Sequence, residues 1–223
     1  MEIFDRPLTE IANAVRQKQS KSIDLVRGFL DRIEKVNGQL NAVVLSNAEH
    51  AIKLAEKADT DLEQGNLHGP LHGIPMTIKD SLDTGEMITT WGTMGRKDYR
   101  PGPDATCVAR LRGAGGIILG KTNTPEFTLW FQTDNLVYGQ TKNPYDLSRT
   151  PGGSSGGAAA IIAAGASIFD IGTDTGGSIR LPSHFSGIAG IKPTTGRVPC
   201  TGNALPSSGP VSYTHLRAHE TDS

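Results

Sequence analysis

Gly73-Ile74-Pro75-Met76-Thr77-Ile78-Lys79-Asp80 is a short apolar run that ends on two charges, and it opens the part of the chain whose texture sets the fold class. Its apolar core, Ile74 to Ile78, is strand-like. Beyond it come an Asp104-capped helical stretch, a second apolar run from Gly116 to Leu119, a small-residue helix from Ala158 to Ala163 and a third run from Ile168 to Gly172. Gly and Pro turns separate them. Helix and strand signals alternating in this way indicate an α/β sheet with helices packed on it.

Upstream of Leu67 the chain reads as helical. Thr9 is placed to cap a short helix and Ser22 a longer one, whose apolar stripe is Leu25, Val26, Phe29, Leu30, Ile33 and Val36, ending at Asn37-Gly38. Leu40 to Leu45 is strand-like. A third helix carries Ile52, Ala55, Ala58 and Leu62 and stops before Gly65.

The 223 residues are 36% hydrophobic and 20% charged, too apolar and too nearly neutral for a disordered chain. Lys and Arg number 22 against 23 Asp and Glu, so no positive field points to direct nucleic-acid contact or to an anionic membrane. Two cysteines, Cys107 and Cys200, form no disulfide framework and fit no metal spacing, which makes the cytoplasm the expected setting. The first residues lack a basic and apolar leader pattern, and the Ala158–Phe169 stretch is too short to span a bilayer. Glycine is abundant, at 27 residues, so much of the backbone is placed where side chains would obstruct it.

The stretch Val211-Ser212-Tyr213-Thr214-His215-Leu216-Arg217-Ala218-His219-Glu220-Thr221-Asp222-Ser223 has no apolar periodicity. It resembles the translation of a transposon-end sequencing adapter; the alternative is an ordinary polar tail. On the adapter reading 211–223 is a non-native tail, the natural protein is cut near Pro210, and His215 and His219 are not ligands.

Three motifs compete for the chemistry. Gly115-Gly116-Ile117-Ile118-Leu119-Gly120-Lys121-Thr122 satisfies the phosphate-loop pattern G-x-x-x-x-G-K-[ST], with Lys121 as the phosphate ligand. Its interior is itself strand-like and Pro125 discourages a following helix, so a nucleotide binder at Lys121 is a remote alternative. Gly152-Gly153-Ser154-Ser155-Gly156 satisfies G-x-S-x-G, but a polar, proline-bracketed loop precedes it where a nucleophile elbow needs a buried strand.

The third pattern is longer. Pro151-Gly152-Gly153-Ser154-Ser155-Gly156-Gly157 is followed by Gly172-Thr173-Asp174-Thr175-Gly176-Gly177-Ser178-Ile179-Arg180-Leu181-Pro182, with the Gly73–Asp80 stretch upstream. Together they resemble the amidase signature family, whose catalysis uses a Ser-Ser-Lys triad. The spacings agree as well: 75 positions separate Lys79 from Ser154 and 24 separate Ser154 from Ser178. The resemblance implies a mixed central sheet covered by helices, incomplete at its C-terminal side because family members are about twice this length. Residues 1–210 are then the N-terminal portion of a single amidase domain.

It further implies Ser178 as nucleophile, Ser154 as relay after a cis bond with Gly153, and Lys79 as base. The residues suit those roles. A serine hydroxyl needs a partner to take its proton. A lysine can serve once burial has lowered its affinity for the proton. Thr175-Gly176-Gly177 before Ser178 leaves backbone N–H groups uncovered, so Thr175, Gly176, Gly177 and Ser178 are the expected oxyanion hole, although Gly176-Gly177 also reads as a tight turn. Ser155, Asp174 and Arg180 are expected to organise the site. A Ser-His-Asp arrangement is the runner-up, with His50, His68, His72 and His184 as the histidines available.

The expected activity is hydrolysis of a small-molecule carboxamide without cofactor or metal. Asn123-Thr124-Pro125-Glu126-Phe127 and Gln140-Thr141-Lys142-Asn143-Pro144-Tyr145-Asp146 look like general bacterial amidases. The alternative is the A subunit of an aminoacyl-tRNA amidotransferase, which requires partner subunits. A homodimer is otherwise the expected assembly.

Overall fold

The computed structural model describes residues 6–204 and the strand backbone of 212–217. Three helices come first: α1 (Leu8–Arg16), α2 (Ser22–Leu40) and α3 (Ala48–Glu63), with strand β1 (Val43–Ser46) between the last two. There follow β2 (Pro75–Lys79), α4 (Thr106–Gly113), β3 (Ile117–Thr122), α5 (Gly156–Ala163), β4 (Phe169–Asp174), α6 (Arg180–Ser186), β5 (Ala189–Gly190) and β6 (Ser212–Arg217). The six strands form one mixed sheet in the order β1-β3-β2-β4-β6-β5. β2 is parallel to both β3 and β4, while β1, β6 and β5 pair antiparallel. This is the α/β class that the alternating signals predict.

The three central strands are buried along their whole length, as strands covered on both faces must be. Ile74, Met76, Ile78, Ile117, Ile118, Phe169 and Ile171 join one apolar cluster with Ile11, Leu25, Val26 and Phe29 of the N-terminal helices. A second cluster gathers Ala158 to Ile162 of α5 with Leu40, Ala42 and Val43. Helix α5 is almost all glycine and alanine at its start, so it can approach other backbone closely. A Cβ on Gly157 would run into the Asn123 nitrogen and lie 2.8 Å from the Ala42 oxygen.

Helix ends differ from the sequence reading. Thr9 lies inside α1, because the carbonyl of Pro7 already accepts from the Glu10 and Ile11 amides. Ser22 is the first residue of α2 and its hydroxyl makes no cap; the Asp59 carboxylate of α3 accepts from the Ser22 and Ile23 N–H groups at 2.7 and 3.0 Å instead. Helix α2 runs past Asn37-Gly38 to Leu40, stopped by Asn41 in the left-handed region. Asp104 caps nothing at α4; it accepts from the Gly85 N–H and pairs with Arg112 at 3.1 Å.

Residues 211–223 carry no periodic signal, yet Ser212–Arg217 pairs along β4 from Phe169 to Asp174 and along β5. Backbone groups at an open sheet edge template a neighbouring strand whatever its side-chain pattern. The boundary expected near Pro210, and residues 211 and 218–223 of the expected tail, lie outside the described residues.

Candidate active site

Lys79 is the last residue of β2 and is 0% exposed. Its Nζ donates to Ser154 Oγ at 2.6 Å and to Thr173 Oγ1 at 2.8 Å. Burial lowers its pKa to about 7, against the opposing pull of the Asp170 and Asp174 carboxylates. An ammonium here stays charged only by virtue of two hydroxyl acceptors and distant carboxylates, so near neutrality both protonation states are accessible.

Ser154 follows a cis peptide bond with Gly153 and is fully buried. The glycine at 153 is required by contact: a Cβ there would lie 2.8 Å from the Trp130 oxygen and 2.9 Å from the Gln132 nitrogen. Thr133 pins the same loop from both sides, its hydroxyl donating to the Gly152 carbonyl at 2.9 Å and accepting from the Gly156 N–H at 3.1 Å. Ser155 bridges to the neighbouring strand. Its Oγ donates to the Thr173 carbonyl and accepts from the Thr173 N–H, both at 3.3 Å, and its own N–H donates to the Ser178 carbonyl at 3.1 Å.

Ser178 lies between β4 and α6 and is 8% exposed. The loop that carries it is organised by Asp174. One carboxylate oxygen accepts from the Gly177 N–H at 2.9 Å, the other from the Ile179 and Arg180 N–H groups at 3.0 and 3.2 Å. The Arg180 guanidinium adds a bidentate pair at 2.9 and 3.0 Å. Burial acts to raise the Asp174 pKa, but the Arg180 and backbone donors outweigh it and hold the carboxyl down at about 2. Of the four amides assigned to an oxyanion hole, that of Gly177 is therefore already engaged; among the described residues those of Thr175, Gly176 and Ser178 have no such partner.

The sequence-predicted residues thus gather at one end of β2 and β4. Lys79, Ser154, Ser155, Ser178, Asp174 and Arg180 are joined through hydrogen bonds to side chain or backbone, although no hydrogen bond links the Ser154 and Ser178 hydroxyls among the described residues. Sequence reasoning missed Thr173 and Thr133. Thr173 sits inside the quoted Gly172–Pro182 motif, but nothing local marks its hydroxyl as a lysine acceptor. The histidines are occupied elsewhere: His50 with Glu86, His68 with Asp61, and His72 with the Ala58 carbonyl, while His184 packs on Phe185.

Lys121 is not part of this site. It lies within β3, is fully buried, and its Nζ donates to the Leu82 carbonyl, Thr84 Oγ1 and Thr89 Oγ1 at 2.6, 2.9 and 3.0 Å, with Asp80 at 3.7 Å. A phosphate ligand would have to displace all of these, which removes the phosphate-loop reading. Among the described residues no three His, Cys, Asp or Glu side chains are grouped to hold a metal, and no helix is long and apolar enough to cross a membrane.

Known proteins share this fold. The Amidase family model matches residues 24–215. The A subunit of the glutamyl-tRNA(Gln) amidotransferase of Moorella thermoacetica is 41% identical over 217 residues, 95% of this chain and 45% of that protein. Its counterpart in Alkaliphilus metalliredigens is 42% identical over 219 residues, 96% of this chain and 45% of that protein. Among solved structures, a fatty acid amide hydrolase superposes with a TM-score of 0.92 at 30% identity, covering 96% of this chain and 39% of that one. A bacterial aryl acylamidase superposes at 0.88 with 33% identity, covering 95% and 44%. The chain spans less than half the length of these relatives. The matched span and the likeness to solved members place the chain in the amidase signature family.

Proposed function

We propose that the complete protein hydrolyses a carboxamide C–N bond through an acyl-enzyme on Ser178, with Ser154 as proton relay and Lys79 as base. The observation that carries this reading is the buried 2.6 Å contact between Lys79 Nζ and Ser154 Oγ, at a lysine whose pKa is lowered by burial to about 7. Once neutral, Lys79 presents a lone pair to the Ser154 hydroxyl. Ser154 gives its proton to Lys79 while taking that of Ser178, and Ser178 Oγ attacks the amide carbon. The oxyanion accepts from the Thr175, Gly176 and Ser178 amides, each donor of this kind being worth about 3–4 kcal/mol in the transition state. Collapse expels the amine, which receives the proton back through Ser154, and water then cleaves the ester.

For the substrate, the identities favour the A subunit of an aminoacyl-tRNA amidotransferase, with the glutamine side-chain amide as the bond broken and partner subunits receiving the ammonia. Curated subunits of that name are 39 to 42% identical, against 30 to 37% for the solved structures that this chain resembles. A free-standing carboxamidase in the cytoplasm, as a homodimer, is the second reading. It is supported by the likeness to a fatty acid amide hydrolase and a bacterial aryl acylamidase, which superpose with TM-scores of 0.92 and 0.88. Residues 211–223 belong to the proposal as foreign sequence; the source DNA read across codon 211 tests that.

The deciding assay is ammonia release by the complete protein from glutamine, with and without partner subunits, and from small aliphatic and aromatic carboxamides. Release from glutamine only with partners present supports the amidotransferase reading, and partner-free release from simple carboxamides the second. No release that depends on Ser178 under any condition overturns both.

A further inference from the structure

Asp170 is a buried charge that the chemistry above leaves unused. It lies on β4, 0% exposed, and among the described residues no cation reaches it within ion-pair distance. Its place follows from strand register. Thr77 is paired with Asp170 across β2 and β4, and Lys79 with Thr122 across β2 and β3. Ladder partners share a face, as do residues two apart on one strand. Thr77, Lys79, Thr122 and Asp170 therefore share one face of the sheet, and Ile78, Lys121 and Ile171 the other. Thr122 Oγ1 donates to Asp170 Oδ2 at 3.0 Å, a bond that favours the ionised carboxyl.

We propose that Asp170 is a positioning residue acting through Lys79: its carboxylate, on the lysine's own face of the sheet, sets the pH at which Lys79 gives up its proton. The consequence for activity rests on the reading of Lys79 as the base. The charged groups acting on Lys79 are Asp170 and Asp174 of β4. Helix α5, packed on the same strands, carries no ionisable side chain. Asp170 in turn feels Lys79 and Lys121, and Lys121 feels Asp80, Asp83 and Asp104 besides. On β6 the residue registered with Asp170 is Leu216, while His215 and Arg217 are registered with Ile171 and Phe169. Burial raises Asp170 itself to about 6, against the Thr77 and Thr122 hydroxyls and the two lysines, all of which favour the ionised carboxyl. A negative charge on the same sheet face favours the ammonium form through the low-dielectric interior. Without Asp170, burial would depress Lys79 further.

The test is a direct titration of Lys79 in the complete protein, labelled with lysine carrying 13C at Cε, its signal assigned by loss in Lys79→Met. Asp170→Asn keeps the shape and removes the charge; the Lys79 midpoint should fall by roughly one pH unit. Thr122→Val removes one of the groups that favour the ionised carboxyl and should move the midpoint the same way by less. A midpoint unchanged or raised in folded Asp170→Asn overturns the proposal. If that variant does not fold, Thr122→Val decides alone by the same criterion. The acid limb of kcat/KM, recorded in parallel, separates the two claims: a midpoint that falls while the limb stays supports the proposal for Asp170 and overturns Lys79 as the base.

Discussion

Lys79 Nζ and Ser154 Oγ, 75 residues apart in the chain, meet at 2.6 Å inside the protein. β2 brings the lysine to the sheet's end and the loop before α5 brings the serine over it. The contact is closed to water on both sides, since both residues are 0% exposed. If Lys79 is the base, kcat/KM of the complete enzyme rises with pH through about 7, because the neutral amine is the active form and lies above its pKa. Lys79→Ala should cost about 10²- to 10⁴-fold near neutral pH. An equal loss at every pH from 5 to 9 would exclude it as the titrating base.

Ser178 heads the same cluster with an exposed edge. Ser178→Ala should abolish covalent labelling by a fluorophosphonate while leaving the thermal melting profile intact. Labelling that survives would assign the nucleophile elsewhere.

Lys121 sits on the opposite sheet face from Lys79 and holds the chain that follows β2, through Leu82, Thr84 and Thr89. Removing it strands the buried Asp80 carboxylate, whose hydrogen-bond donors are the Thr90 N–H and hydroxyl. Lys121→Met should therefore destabilise the protein by about 3–5 kcal/mol, read as a lower urea midpoint. No nucleotide should shift the melting temperature of the parent protein. A stable Lys121→Met variant would mean that Asp80 is buried neutral.

Two glycines separate close backbone approach from mere sequence abundance. Gly157 has the Asn123 backbone where a Cβ would need room, so Gly157→Ala should cost about 1–3 kcal/mol by overpacking. Gly38 lies within α2 with open space around it, and Gly38→Ala should stabilise by about 0.5–1 kcal/mol. Denaturant midpoints of the two single variants check both signs.

The site was legible where its residues are contiguous in motifs. The loop around Ser178 is built by Asp174 and Arg180, four residues before and two after it, so a local pattern carries its geometry. What escaped the sequence is what comes from far along the chain: Thr133 clamping the glycine loop, Thr173 accepting from Lys79, and Asp59 capping α2 in place of Ser22. A hydroxyl or carboxylate has no local signature for a partner dozens of residues away.

By itself the sequence determined the α/β class, the apolar strands, the helix stripes and the family. Periodicity and glycine-rich motifs are local consequences of backbone geometry, and a single chain displays them without being folded. Tertiary structure alone decided the fates of the two lysines. Both end apolar runs and both are buried, and composition cannot tell them apart. Strand register sends Lys79 to the face of Ser154, where burial brings its pKa to about 7 beside two hydroxyl acceptors, and sends Lys121 to the other face, where a carbonyl, two hydroxyls and Asp80 hold it in place.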